Sequence, residues 1–241
     1  MKDVPFIRFA PNFITLLSLC SGISSLKFAY QGNWKIAVLM ILLAGFFDFF
    51  DGWLARKLKK SSQFGAELDS LSDFISFGVS PAVLVYLWSI KEFDRVGWVF
   101  CLFYIICAAL RLARFNIENL TSPSNTFFGI PSPAAAGIVL IPLFFNFIFP
   151  ELYNKNFIFI SILLLSYSGL MMISRVPTMS LKSLKLSKSN SSYFIILIAI
   201  FIIFLISFFW QTIFFVSLAY LVFSLISLFR FFIFIGRKNT K

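Results

Sequence analysis

The sequence predicts an all-α membrane protein: a polytopic helix bundle of about eight transmembrane helices with both termini in the cytoplasm. Three observations lead to this prediction. Of the 241 residues, 59% are hydrophobic and 13% are charged, whereas soluble domains average about 45–50% and about 25%. Apolar runs long enough to cross a bilayer alternate with short polar connectors. Finally, lysine and arginine concentrate in every second connector.

Eight apolar runs follow one another along the chain. They lie at 13–30, 34–54, 70–90, 97–115, 133–150, 156–174, 192–209 and 212–235. With eight spans, 16 of the 21 lysines and arginines fall on the side that holds both termini. The positive-inside rule places that side in the cytoplasm. The last two runs are nearly pure Phe, Ile, Leu and Ser, so we expect them to serve packing only.

The composition also excludes several functional classes. The chain has no histidine, which excludes a histidine base, a Ser–His or Cys–His pair and a histidine-ligated zinc. Cys20, Cys101 and Cys107 lie in apolar runs at spacings that match no metal motif, and we interpret them as core residues. The net charge of +11 comes from the connectors of a membrane protein, so nucleic acid is not an expected partner.

Acidic residues are rare, and half of them are clustered. The chain has ten, and five lie within 26 positions: Asp48, Asp51, Glu67, Asp69 and Asp73. Four of the five fall at the ends of apolar runs. A carboxylate at membrane depth is costly unless it is paired or ligated, and several together repel one another. The cluster therefore needs a cation.

Spacing predicts how these carboxylates meet. Asp48 and Asp51, at i and i+3, share a face at the cytoplasmic end of the second run. Asp69 and Asp73, at i and i+4, share a face at the start of the third. The short connector makes the two runs an antiparallel hairpin, so the acidic faces can meet. An all-oxygen site suits Mg²⁺, Mn²⁺ or Ca²⁺, and two such ions can stabilise a phosphoryl displacement.

Neighbouring residues favour a phosphate-bearing ligand. Gly52 and Ala55 leave room against the backbone, Gly65 permits close approach, and Arg56 can form a fork to phosphate. Two other interpretations remain open at this point: a structural charge network with residues 56–60, and an ion or proton path. Transport sites lie near the bilayer midplane, whereas these acids lie at span ends, which a soluble nucleotide can reach.

The whole pattern resembles the signature of the CDP-alcohol phosphotransferase family. It reads Asp48-x-x-Asp51-Gly52-x-x-Ala55-Arg56, eight residues, then Gly65-x-x-x-Asp69-x-x-x-Asp73. The resemblance implies two divalent ions, Mg²⁺ or Mn²⁺, bound by the four aspartates, with Asp73 also the general base. It further implies a nucleotide site formed by Asn12, Thr15, Gly52, Ala55, Arg56 and Gly65.

Weaker motifs resemble those members of the family that use L-serine as the acceptor. They lie at 64–81, 111–116, 129–135 and 174–180. The resemblance then implies transfer of a phosphatidyl group from CDP-diacylglycerol to L-serine, with release of CMP. It also implies a homodimer. Because the motifs lie before 188 and the last two apolar runs match none of them, we expect a catalytic membrane domain at 1–188 and two additional helices at 189–241. We expect the protein to lie in the inner membrane, surrounded by membrane lipids, with its active site on the lysine- and arginine-rich cytoplasmic side.

The acceptor site is less well defined by the sequence. Serine carries a carboxylate, which needs a cation, and Arg111, Arg114 and Arg175 are the candidates for binding it or a phosphate. The metal motif does not distinguish serine from glycerol 3-phosphate, inositol phosphate or choline. These sibling acceptors therefore remain open.

Overall fold

Helices are the only regular secondary structure in the described part of the chain. The computed structural model describes residues 10–57, 63–121, 129–152, 154, 156–176 and 191–239, without the side chains of 118–121, 191–195 and 234–239. Over these residues there is no strand, which confirms the all-α prediction. The helices are α1 (Ala10–Tyr30), α2 (Trp34–Lys57), α3 (Gln63–Asp73), a π-helical segment (Phe74–Val79), α4 (Ser80–Trp88), a 3₁₀ turn (Ile90–Phe93), α5 (Asp94–Thr121), α6 (Ser132–Val139), α7 (Ile141–Ile148), a 3₁₀ turn (Pro150–Leu152), α8 (Phe157–Ile173), α9 (Ser191–Ser207) and α10 (Phe209–Asn239).

Five helical segments in the described residues are long and apolar enough to cross a membrane. They are 10–30, 34–57, 63–88, 90–117 and 209–233, and shorter apolar helices occupy 157–173 and 196–207. The predicted fifth run is divided at Leu140 into α6 and α7. Pro142 explains the break, because proline lacks the N–H that would continue the helix and its ring clashes with the preceding turn.

One predicted boundary is wrong in a way that matters for the site. We expected the third helix to begin near residue 70, but α3 begins at Gln63. Polar residues fill its first turns, so the apolar pattern starts later than the helix does. Asp69 and Asp73 therefore lie within a helix that continues to Trp88, rather than at its first turn.

Small residues hold the continuous segment from α3 to α4 against α1 through hydrogen bonds and close packing. The hydroxyls of Ser72, Ser76 and Ser80 donate to carbonyls of Thr15, Ser18 and Gly22 at 3.3, 3.3 and 2.8 Å. At this contact a Cβ on Gly22 would lie 2.9 Å from the Cα of Ser76. The two backbones therefore approach closely, as small residues permit in membrane helices.

The π-helical segment follows directly after Asp73. Its Phe77 carbonyl accepts a hydrogen bond of 3.0 Å from the hydroxyl of Tyr104, a fully buried residue of α5. Gly78 in the same segment packs against α5, where an added Cβ would lie 3.1 Å from that of Ala108. Such π-helical insertions occur frequently at functional sites. Here one lies between the last aspartate and the membrane-buried part of the helix.

The three cysteines do not all lie in the core. Cys101 and Cys107 are buried, which confirms the interpretation of these two as packing residues. Cys20 is exposed on α1, so that interpretation is wrong for it. Its apolar neighbours in the sequence include exposed side chains such as Leu16 and Ile23, because this face of α1 points away from the bundle.

The C-terminal helices pack on the rest of the bundle through α10. It contacts α6, α7 and α9, and its Ser224 shares a 2.7 Å hydrogen bond with Tyr167 of α8. By contrast, residues 196–204 of α9 are all exposed. An apolar helix exposed along this length suits a lipid environment.

We predict that Gly22→Ala lowers the thermal unfolding midpoint of the detergent-solubilised protein, because the added methyl group would overpack the contact with Ser76. Overpacking costs about 1–3 kcal/mol. Gly45→Ala is the matched control, since its Cβ would lie 3.6 Å from the Phe77 ring, an ordinary contact. An unchanged midpoint for Gly22→Ala beside the control would contradict the close contact between the helices.

Candidate metal centre and substrate site

Three carboxylates from α2 and α3 converge in one place. Oxygen atoms of Asp48, Asp51 and Asp69 all lie within 4.8 Å of one another, close enough to share one cation. Asp51 is buried, with 4% of its surface exposed, whereas Asp48 and Asp69 are at least partly exposed. The i, i+3 spacing on α2 places the first two on one face. Asp69 of α3 lies beside them, and α2 and α3 both pack against α1.

Asp73 joins this cluster through Asp48. Their carboxyl groups lie next to each other, although Asp73 is not one of the three that converge within 4.8 Å. Two carboxylates this close repel unless a proton or a cation lies between them. One buried oxygen of Asp73 (Oδ1) and one of Asp51 (Oδ2) have no hydrogen-bond partner. Such orphaned oxygens fit a site that binds cations.

The N-terminal helix adds two polar residues beside the aspartates. Thr15 is buried next to the carboxylate of Asp51, and its hydroxyl donates to the Pro11 carbonyl at 3.0 Å. Asn12 lies one turn earlier on α1 and is half-buried. Because Ser72 holds the Thr15 carbonyl, this end of α1 is fixed relative to Asp73.

Arg56 lies over Gly52 at the end of α2. A Cβ on Gly52 would lie 3.6 Å from a guanidinium nitrogen (Nη1) of Arg56. Arg56 is exposed and close enough to Asp48 to attract its carboxylate. Ala55 and Gly65 are both half-buried on the facing ends of α2 and α3. These four predicted nucleotide residues therefore lie on the two helices that carry the aspartates, whereas Asn12 and Thr15 lie on α1.

Arg111 is directed toward the same cluster from α5. Its guanidinium donates to the hydroxyl of Ser132 at 3.0 Å and lies within electrostatic range of Asp73. Its Nε is buried without a hydrogen-bond partner. Ser132 is buried at the start of α6. Arg111 is thus a half-buried cation next to the candidate base, and its hydrogen-bonding capacity is only partly used.

The other two arginines are placed differently. The guanidinium of Arg114 donates to the carbonyls of Ile173 and Met172 at 2.8 and 3.5 Å, at the C-terminal end of α8. It therefore caps carbonyls that the helix itself leaves unpaired. Arg175 is exposed in the segment after α8. The structure brings Arg111 to the cluster and engages Arg114 elsewhere.

Sequence reasoning missed several residues around the site. Asn116 accepts a 3.1 Å hydrogen bond from Ser70, the residue after Asp69, and so ties α5 to α3. Ser132 anchors Arg111. Both residues lie in motifs that the sequence analysis singled out, but only tertiary contacts assign them a partner. Tyr220 of α10 lies within electrostatic range of Arg111, and no sequence signal pointed to it.

A turn at Gly129 connects these elements. Gly129 has a φ of 74°, and its N–H donates to the Val176 carbonyl at 2.9 Å. A Cβ there would lie 2.8 Å from the carbonyl oxygen of Met172, so only glycine fits. The turn therefore fixes the start of α6, and with it Ser132, against the end of α8.

The fold and the cluster together define a helical membrane protein with an acidic site formed by carboxylates of α2 and α3. Comparison with known proteins specifies the class further. The sequence model of the CDP-alcohol phosphatidyltransferase family matches residues 8–178. The chain belongs to this family, and the resemblance predicted from its motifs is confirmed.

Three relatives illustrate the similarity. The chain is 35% identical over 200 residues to the CDP-diacylglycerol–serine O-phosphatidyltransferase of Mycobacterium leprae, covering 81% of this chain and 66% of the relative. It is 37% identical to the Bacillus subtilis protein of the same name, over 70% of this chain and 89% of that one. It is 36% identical to the archaetidylserine synthase of Methanothermobacter thermautotrophicus, over 70% and 71%. The chain thus spans about two thirds of the length of the mycobacterial relative.

Proposed function

We propose that the protein transfers the phosphatidyl group from CDP-diacylglycerol to L-serine, giving phosphatidylserine and CMP. The observation that carries the proposal is the convergence of Asp48, Asp51 and Asp69 within 4.8 Å, with Asp73 in contact with Asp48. Family membership supports the donor chemistry. The names of the bacterial and archaeal relatives support serine as the acceptor.

The four aspartates would hold two divalent ions, Mg²⁺ or Mn²⁺. Their fit rests on the donor set, which is all carboxylate oxygen, and on the orphaned oxygens of Asp51 and Asp73. When bound, such ions supply positive charge that stabilises the negative charge developing on a transferred phosphoryl group.

The chain's own residues bind the donor and move one proton. In this proposal Asn12, Thr15, Gly52, Ala55, Arg56 and Gly65 line the nucleotide site. Asp73 accepts the proton of the serine hydroxyl, and that oxygen forms a bond to the lipid-bearing phosphorus. The bond from this phosphorus to the oxygen bridging it to CMP breaks, and CMP leaves with the electron pair. The proton on Asp73 then passes to solvent.

Arg111 is our candidate for the carboxylate of the acceptor. It lies beside Asp73, and its buried Nε has no hydrogen-bond partner. A carboxylate would complete its hydrogen bonds with a charge-assisted pair. Arg114 is a weaker candidate because its guanidinium is engaged with the end of α8. Arg175, which is exposed, could instead contact a phosphate or a lipid headgroup.

The membrane arrangement is also a proposal. We propose eight spans, with α6 and α7 together forming the fifth, both termini in the cytoplasm, and the site at the cytoplasmic face of the inner membrane. Residues 1–188 form the catalytic domain and 189–241 two additional helices; the boundary at 188 lies outside the described residues. The lysine and arginine distribution supports the orientation. Family resemblance alone supports a homodimer, which chemical cross-linking in native membranes would test.

We predict that purified protein in lipid micelles releases CMP from CDP-diacylglycerol only when L-serine and Mg²⁺ or Mn²⁺ are both present. Asp73→Asn should abolish release, because the amide cannot accept the hydroxyl proton. Removing a catalytic base typically costs about 10²–10⁴-fold. Removal of the metal by EDTA should abolish release reversibly, and CMP can be quantified by chromatography.

The controls distinguish the alternatives. Glu67→Gln alters the fifth clustered acid, which is exposed and is not one of the residues of the aspartate signature, and should retain activity. Suppose that CMP is released with glycerol 3-phosphate, inositol phosphate or choline, but not with serine. The proposed transfer reaction would then stand, and the assignment of serine as its acceptor would be wrong. An absence of release with every acceptor, from folded protein, would contradict the enzyme assignment.

We predict that Arg111→Lys raises the KM for L-serine about tenfold with a smaller change in kcat, because lysine keeps the charge but loses the guanidinium fork. Arg175→Lys is the matched control and should leave the KM unchanged. Arg114→Lys should lower the thermal midpoint instead, since it holds α8. If the KM for serine rises in Arg175→Lys and not in Arg111→Lys, the acceptor assignment is wrong.

We predict that a fluorescent protein fused after Lys241 is bright, and that alkaline phosphatase fused there is inactive, because an even number of spans returns the C-terminus to the cytoplasm. Fusions truncated after Glu151, between the fifth and sixth spans, should give the opposite result. Active phosphatase after Lys241 would refute the orientation.

A further inference from the structure

An apolar cavity of about 340 Å³ lies between the family-matched core and the C-terminal helices. On one side it is lined by Gly45 of α2, Phe77 of the π-helical segment and Gly137 of α6. On the other side it is lined by Ile213, Ser217 and Tyr220 of α10. Its volume falls within the range of about 300–1,000 Å³ typical of ligand sites. The outer wall lies beyond residues 8–178, the part that matches the family.

The cavity leads away from the aspartate cluster along the helices. Gly45 lies one turn before Asp48 on the same face of α2, and Phe77 lies one turn after Asp73. Both steps run from the polar helix ends toward the apolar middle. The apolar cavity therefore begins about one helical turn from the aspartates on both helices.

Two further contacts connect the outer wall to the site. Pro133 lines the cavity and follows Ser132, which holds Arg111. Tyr220 lines it from α10 and lies within electrostatic range of Arg111. A ligand with a charged head at the aspartates and an apolar tail would match this arrangement in both parts. A lipid-linked nucleotide is a ligand of this kind.

The α10 wall is positioned by specific contacts. Ser217 is buried opposite Gly137, where an added Cβ would lie 3.3 Å from the serine hydroxyl oxygen. Two turns further along α10, Ser224 shares its hydrogen bond with Tyr167 of α8. The wall is thus held at a close, defined distance from α6. A change of side-chain size at residue 217 would change the width of the cavity.

We propose that this cavity holds one acyl chain of the lipid-linked nucleotide donor, and that Ser217 and its neighbours on α10 select for the length of that chain. The proposal rests on the proposed function, because it takes the donor to be CDP-diacylglycerol. It gives the C-terminal helices a role in substrate selection beyond packing.

The test compares two donors in Ser217→Leu, whose larger side chain would narrow the cavity. Dioleoyl and dioctanoyl CDP-diacylglycerol are supplied at equal surface fractions in mixed micelles, and CMP release with L-serine gives kcat/KM for each. We expect kcat/KM to fall about tenfold for the long-chain donor, in line with the effect of pocket-filling groups on specificity, and by less than about twofold for the short-chain donor. Ser227→Leu, the same change on α10 outside the cavity lining, should leave both values unchanged.

The outcomes separate this proposal from the proposed function. No CMP release by the unaltered protein with either donor would overturn the function, and the cavity assignment with it. Normal release by the unaltered protein, combined with an equal loss for both donors in Ser217→Leu, or no loss, would overturn the cavity assignment alone.

A second measurement covers the case in which Ser217→Leu does not fold. A donor with a photoreactive diazirine near the end of one acyl chain is irradiated with the unaltered protein. We expect label on 213–220, displaced by unlabelled CDP-diacylglycerol but not by an equal amount of phosphatidylcholine. Displacement by both lipids would mean that bulk lipid fills the cavity and would overturn the proposal, as would label confined to other segments.

Discussion

Repulsion among carboxylates brought together from α2 and α3 is the constraint on which the rest of the structure depends. Asp48, Asp51 and Asp69 converge within 4.8 Å, and Asp73 contacts Asp48. At the edge of a bilayer such a cluster is unfavourable without compensating positive charge. Arg56 and Arg111 supply part of it from two different helices. The oxygens of Asp51 and Asp73 that have no hydrogen-bond partner could accept further positive charge from a bound cation.

Holding these groups together requires a rigid support, which the small residues of α1, α2 and α3 provide. Serine hydroxyls on α3, the π-helical segment and α4 bind carbonyls of α1 over two turns. Ser18 extends the contact by donating to the Ala44 carbonyl of α2 at 2.9 Å. Hydrogen bonds of this kind stabilise helix contacts where burial of apolar groups contributes little, because lipid is equally apolar.

Residues from helices far apart in the chain lie around the aspartate cluster. Arg111 and Arg114 are three residues apart on α5, yet one faces Asp73 and the other holds the end of α8. Side chains at this spacing share a helix face, but the length of the arginine side chain lets each reach a different partner. Through Tyr220, α10 comes within range of Arg111. The C-terminal helix α10, which carries no recognisable motif, is therefore close to Arg111 and so to the aspartate cluster.

The sequence by itself determined the class of fold, the acidic cluster and the family. Apolar runs too long and too numerous for a soluble core, and carboxylates at helical spacing, are local patterns that need no tertiary information. It did not reveal the early start of α3, where polar residues hide the helix, or the break at Pro142 within an unbroken apolar run.

Only the tertiary structure decided which arginine faces the aspartates, that Ser132 anchors it, and that α10 walls a cavity beside the site. The physical reason is that these contacts join residues far apart in the chain. Their geometry depends on how the helices pack, which is set by close approaches such as Gly22 on Ser76 and Gly137 on Ser217. Because these helices are apolar on all sides, the periodicity of their sequences does not predict which face of one helix packs against which neighbouring helix.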